Sequence, residues 1–310
     1  MKKFAFVFPG QGSQSIGMLN GFAGNVVVQQ TIAEASDALQ FDIARLIEEG
    51  PKEDLDLTTN TQPIMLATAV AFYRAWIAVG GAIPSLVAGH SLGEYSALVA
   101  SGVIPFHDAV RLVRFRAQAM QEAVPVGQGG MAAILGLSDD TVLEICAASA
   151  QGEVVEAVNF NAPAQVVIAG HISAIARACD AAKTRGAKRA LLLSVSAPFH
   201  SSLLKPASDR LRDFMAGMAF STPQIAVINN VDVAIENDPS KIKDALVRQA
   251  ANPVRWVETI QKVAAESVTH VVECGPGKVL TGLTKRINPD LGVDALFDQA
   301  SLDKLLELMK

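Results

Sequence analysis

Short apolar runs alternate along the chain with longer segments whose apolar residues recur at helical spacing. The runs cover 4–8, 86–88, 131–135, 154–159, 166–169, 190–195, 225–228 and 271–273. The helical segments include 62–79, 92–100, 107–121, 173–185 and 203–215. This alternation predicts an α/β fold with a mainly parallel core sheet. The first run follows Met1-Lys2-Lys3 but stops at Pro9-Gly10. It is too short for the apolar core of a secretory signal and reads as a buried first strand.

One region has a different rhythm. Gly127-Gln128-Gly129-Gly130 opens a strand–helix–strand–strand–helix–strand series that runs to about Val195, the order of a ferredoxin-like α+β unit. The chain is therefore expected to divide into a core of residues 1–125 and 197–310 and an inserted subdomain of residues 126–196. One continuous sheet is the alternative.

Composition narrows the picture. At 310 residues the chain is long enough for one large domain with a smaller insert, and 18% charged residues is ordinary for a globular protein. Cys146, Cys179 and Cys274 are an odd number without CxxC or zinc spacing, which favours free thiols in a reducing compartment. A net charge of −5 argues against a nucleic-acid partner. No apolar stretch is long enough for a membrane helix, so a cytoplasmic protein with no membrane partner is expected.

The chemistry begins at Gly89-His90-Ser91-Leu92-Gly93. This G-x-S-x-G lies between an apolar run and a helical segment, the context in which a sharp turn lifts a serine off a sheet edge. The Leu92 amide, at the helix start, is placed to donate to a developing oxyanion. A serine nucleophile needs a base. Of the five histidines, His90 adjoins the serine and should point elsewhere, His107 sits at a helix start, and His171 ends a strand just before a helix that Ser173 would cap. His200, in a strand-to-helix loop of the kind that concentrates catalytic groups, leads on chain order, with His270 as competitor.

Across almost its whole length the sequence resembles the malonyl-CoA:acyl carrier protein transacylase family. The resemblance is carried by Phe8-Pro9-Gly10-Gln11-Gly12-Ser13-Gln14, Gly89-His90-Ser91-Leu92-Gly93-Glu94, Arg116 with Ala117 and Met120, and Gly129-Gly130-Met131-Ala132-Ala133. Asn159-Phe160-Asn161-Ala162-Pro163, Pro198-Phe199-His200, Gln249, Asn252-Pro253-Val254-Arg255-Trp256 and Glu273-Cys274-Gly275-Pro276-Gly277 continue it in the family's order.

The resemblance implies a hydrolase-like core with a ferredoxin-like insert and a cleft between them. It implies Ser91 as nucleophile, His200 as base and acid, the amides of Gln11 and Leu92 as oxyanion hole, and the backbone carbonyl of Gln249 orienting the histidine in place of a carboxylate. Arg116 would grip the malonyl carboxylate, since its planar fork pairs both oxygens. Phe199 would wall off substituents at the malonyl α-carbon, and Met120, Asn161 and Met131 would line the same pocket. The implied partners are malonyl-CoA and acyl carrier protein, in fatty acid or polyketide synthesis. No cofactor is expected, the CoA thioester being a substrate. Neither Gly275-Pro276-Gly277-Lys278 nor Gly10-Gln11-Gly12 has the spacing of a nucleotide-binding loop. Two basic clusters, Lys183 with Arg185, Lys188 and Arg189, and Lys285 with Arg286, read equally as docking surface for an acidic carrier or as solvated charge. A serine esterase or thioesterase is the rival activity, and a non-catalytic relative the third reading.

Overall fold

The computed structural model describes residues 2–195 and 197–309. Ser196, the last residue of the expected insert, lies outside the described residues. Among the described residues nine strands form two sheets: β1 (Phe4–Phe8), β2 (Leu86–Gly89), β3 (Gly129–Leu135), β4 (Val155–Ala162), β5 (Gln165–His171), β6 (Arg189–Leu192), β7 (Ala226–Ile228), β8 (His270–Cys274) and β9 (Gly292–Leu296). The first sheet has the order β7-β2-β1-β8-β9, and every pairing in it is parallel.

The central strand β1 is buried at every position. A parallel strand covered on both faces is apolar throughout rather than alternating. Phe4, Phe6 and Phe8 face one apolar cluster, and Ala5 and Val7 face another. On the first side lies helix α1 (Thr58–Ala78), whose Trp76 and Tyr73 meet Phe6 edge-on at 5.8 and 5.9 Å. Such contacts between aromatic rings add to the area they bury. Helices α2 (Gly93–Ala100) and α3 (Phe106–Glu122) follow the second strand.

The second sheet has the order β4-β5-β3-β6 and is antiparallel throughout. Helices α4 (Asp139–Ala150) and α5 (Ile172–Thr184) complete its strand–helix–strand–strand–helix–strand series. Strand alternation separates its two faces. Ala132, Ile134, Val166 and Ile168 pack with Ile145 of α4 and Ile175 and Ala178 of α5, while Met131, Val167 and Ala169 join the large core. The two sheets share no strand among the described residues. Strand β4 is joined to the core through Val254, which donates to Val158 O at 2.9 Å and accepts from Phe160 N at 3.0 Å.

Three expectations are corrected here. The predicted run 190–195 leaves the sheet after Leu192, once Leu193 has made one last bond to Met131 O. Ser173 does not cap α5: His171 is the N-cap residue, and the Ser173 hydroxyl donates to Glu153. Strand β9 was absent from the apolar runs because Asp294 interrupts it, held there by His270 Nε2 at 2.9 Å. All three cysteines are free and buried. No helix of the described residues is long and apolar enough to cross a membrane. Phe6 is fully buried, so Phe6→Ala should cost about 3–5 kcal/mol of stability, measured by urea unfolding.

Candidate active site

The carboxyl ends of β1, β2, β7 and β8 converge on one edge of the parallel sheet, the side where such sheets build their sites. Gln11 follows β1, Ser91 follows β2 and Asn230 follows β7. At the end of β2 the chain turns so sharply that Ser91 adopts φ +51°, a left-handed conformation rare outside glycine. The turn requires its flanking glycines: a Cβ on Gly89 would lie 1.9 Å from the Gly93 carbonyl carbon, and one on Gly93 would lie 2.0 Å from Phe8 O.

Two side chains clamp this elbow. Asn230 Nδ2 donates to Gly89 O at 2.6 Å, and Asn230 Oδ1 accepts from Ser91 N at 2.7 Å. From the other side Gln249, the last residue of helix α6 (Pro239–Gln249), donates from Nε2 to Ser91 O at 3.0 Å.

Ser91 Oγ lies 2.6 Å from His200 Nε2, and His200 Nδ1 lies 2.8 Å from the backbone oxygen of Gln249. A carbonyl only accepts, so Nδ1 carries the ring hydrogen and Nε2 is left to receive the serine proton. Burial, with the Arg116 charge beside it, pushes the imidazole down to about 3. His270, the rival base, instead pairs with Asp294 at the far end of β8.

Arg116 comes from α3 and is 2% exposed. Its Nη1 donates to Gln62 Oε1 at 2.7 Å, and its Nη2 to Gln249 Oε1 at 2.9 Å and to Ser91 Oγ at 3.2 Å. The guanidinium carbon stands 5.3 Å from the Tyr95 ring centre. Arg111 and Arg114 of the same helix turn away, to Ala38 O and to Thr59 O and Asn60.

Gln11, Ser91, Leu92, Arg116, Met120, Met131, Asn161, Phe199 and His200 all line a single cavity of about 190 Å³, and Gln249 stands behind it. The backbone N–H groups of Gln11 and Leu92 have no acceptor among the described residues. The Gln11 loop is fixed by Thr58, whose hydroxyl donates to Gln11 Oε1 at 2.7 Å. His90 points away from Ser91, as expected, though the residue lines the cavity. Its ring is held by Asn161 Oδ1 at 2.7 Å and set edge-on to Trp256. No cluster of metal-ligating side chains occurs among the described residues.

The family model described as "Acyl transferase domain" matches residues 5–287. The chain is 55% identical to the malonyl CoA-acyl carrier protein transacylase of Salmonella typhimurium, over 99% of both chains. The crystal structure of an acyl-carrier-protein S-malonyltransferase from Burkholderia pseudomallei is 67% identical and superposes with a TM-score of 0.97, over 99% of this chain and 100% of that one. A malonyl-transacylase in complex with a type II PKS acyl-carrier protein is 53% identical, with a TM-score of 0.98 over 99% of this chain and 100% of that one. The chain belongs to the malonyl CoA-acyl carrier protein transacylase family.

In this transacylase several residues around the site escaped the sequence reading. Asn230, Gln62 and the side chain of Gln249 hold the elbow and the arginine, and Glu94 lies buried beneath them. Asn230 carried one usable signal, a polar pair directly after the buried strand β7 on the same sheet edge as the elbow. Half of the residues in the basic clusters are engaged elsewhere: Lys183 with Asp180, Arg185 with Glu144, and Arg286 with Gln165 and Pro163 O.

Because burial and the Arg116 charge hold the His200 imidazole far below the ordinary 6.5, it stays neutral as the solution is acidified. A serine-directed probe without a carboxylate, such as a fluorophosphonate, should label Ser91 at a rate that changes little between about pH 5 and 8. A half-loss of labelling near 6.5 would show that the imidazole titrates freely.

Proposed function

We propose that this chain moves a malonyl group from CoA to the phosphopantetheine thiol of acyl carrier protein through a malonyl ester on Ser91. The observation that carries the reading is the guanidinium of Arg116 within 3.2 Å of the same Ser91 oxygen that meets His200 at 2.6 Å. The fork's direct acceptors, Gln62, Gln249 and Ser91, are all neutral, so a carboxylate on the acyl group supplies the direct ionic partner that such a fork fits.

In the first half-reaction the Ser91 oxygen attacks the thioester carbon while His200 Nε2 takes its proton. The oxyanion forms opposite the free amides of Gln11 and Leu92, each donor contributing about 10²–10³ in rate. The intermediate collapses with cleavage of the C–S bond, and His200 returns the proton to the departing CoA thiolate. In the second half the carrier thiol gives its proton to His200 and attacks the ester, and the proton passes back to Ser91. A thiolate leaves readily, so a neutral carbonyl behind the imidazole suffices where a poorer leaving group would call for a carboxylate.

Arg116 selects the substrate. Malonyl presents a carboxylate to the fork, whereas acetyl or a long acyl chain leaves it unpaired. Phe199 is read as the wall against the malonyl α-carbon, with Met120, Met131 and Asn161 completing the pocket. This reading keeps 126–196 as an inserted subdomain over the core, needs no cofactor, and places the enzyme in the cytoplasm supplying fatty acid synthesis. The similarity to a transacylase bound to a type II PKS carrier supports polyketide synthesis as a second destination for the same chemistry.

Intact-mass analysis after mixing with malonyl-, methylmalonyl- and acetyl-CoA tests the reading. Malonyl should add to Ser91 stoichiometrically, acetyl far more slowly. Arg116→Ala should cut malonyl acylation about 10²-fold, the size of one buried charge pair, and erase the preference. Release of free malonate with no transfer to a carrier thiol would identify a thioesterase instead.

A further inference from the structure

Arg116 is a buried cation whose hydrogen-bond acceptors, Gln62, Gln249 and Ser91, are all neutral. A buried carboxylate nevertheless acts on it. Glu94, in the first turn of α2, is 2% exposed, and the two charges favour one another. The side-chain amide of Gln249 stands between them. Its Oε1 accepts from Arg116 Nη2 at 2.9 Å and its Nε2 donates to Glu94 Oε2 at 2.9 Å. Both ends fix the direction of that amide, since a guanidinium only donates and a carboxylate only accepts. The same Glu94 oxygen accepts from Asn230 N at 2.9 Å, and the Asn230 side chain holds the elbow.

We propose that Glu94 is the positioning residue for Arg116: through the Gln249 amide it orients the guanidinium fork beside Ser91 and thereby sets the preference for carboxylated acyl groups. The inference rests on the reading of Arg116 given above. An acid in the first turn of a helix also has an ordinary structural use, complementing the helix dipole. That use would lower activity toward every acyl donor alike. A positioning role changes the ratio between donors.

The relay is also proton-sensitive. Burial lifts the Glu94 carboxyl to about 7, against the opposing effects of Gln249, Asn230 and Arg116. The other charged or titratable groups that act on it are Asp232, after β7, and Tyr95, on its own helix. Asp232 lies below the usual carboxylate range and Tyr95 is pushed up to about 12, so neither changes charge near neutrality. Above about 7 Glu94 is an acceptor-only anion. As the pH falls through that value it gains a proton and loses its charge, which weakens its hold on the Gln249 amide while Arg116 and Ser91 O keep theirs.

The test compares the full-length wild type with Glu94→Gln, Glu94→Asp and Arg116→Ala. It measures kcat and KM for malonyl-CoA and acetyl-CoA between pH 6 and 8, with thermal unfolding as a check on folding. Glu94→Gln keeps an oxygen for Asn230 and Gln249 but no charge. It should lower malonyl kcat/KM about tenfold, as for the loss of one charge-assisted bond, mostly through KM, and change acetyl kcat/KM by no more than about twofold. Glu94→Asp should retain more of the malonyl preference than Glu94→Gln. The wild-type malonyl-to-acetyl ratio should fall below about pH 7, and the ratio for Glu94→Gln should stay flat. An unchanged ratio in Glu94→Gln, with the preference lost in Arg116→Ala, overturns the role of Glu94 and leaves the reading of Arg116 standing. A preference that survives in Arg116→Ala overturns both. If Glu94→Gln does not fold, Glu94→Asp carries the test, and a malonyl-to-acetyl ratio unchanged from the wild type in that variant overturns the proposal.

Discussion

The left-handed turn at Ser91 is the constraint around which the rest of the site is arranged. A non-glycine residue at φ +51° is held there only when its surroundings over-determine it. Here they do so from three directions. Gly89 and Gly93 leave no room for side chains, Asn230 bonds the peptide groups on the near side, and Gln249 bonds the far carbonyl. The parallel order β7-β2-β1 brings Asn230 and the Gln11 loop to the same edge as the elbow. Topology and turn geometry are thus two aspects of one arrangement.

The electrostatics follow from dryness. His200, Arg116 and Glu94 are each at most 3% exposed, and burial is the main influence on all three, lowering the two bases and raising the acid. A neutral imidazole beside a cation is the state a proton acceptor requires. Burial, aided by the cation, keeps it neutral, and the carbonyl of Gln249 holds its Nδ1.

Much of this was legible in the sequence, for physical reasons that differ from element to element. Strand β1 was plain because a doubly covered parallel strand is continuously apolar, and the elbow because its glycines are sterically compulsory. Strand β9 was not, since a charged residue sits inside it. His200 was separable from His270 by loop context only as a preference. What decides between them is Gln249 O, a backbone atom with no sequence signature. Glu94, Gln62 and Asn230 were hidden because polar residues in a buried network look, in one dimension, like any others, and only folding shows that their partners lie 54 to 155 positions away. The partner of His90 was hidden for the same reason: Asn161, which holds its ring, belongs to the other sheet.

The group that aligns His200 belongs to the main chain. No codon change can delete a peptide oxygen, so a substitution at position 249 leaves the contact to His200 Nδ1 in place as long as α6 keeps its course, while it removes the bond from Nε2 to Ser91 O. An Asp-based triad can be broken by one missense mutation; this arrangement yields only to a shift of the helix. One residue thus holds the imidazole through its main chain and both the guanidinium and the elbow through its side chain, and a substitution there touches only the second set of bonds.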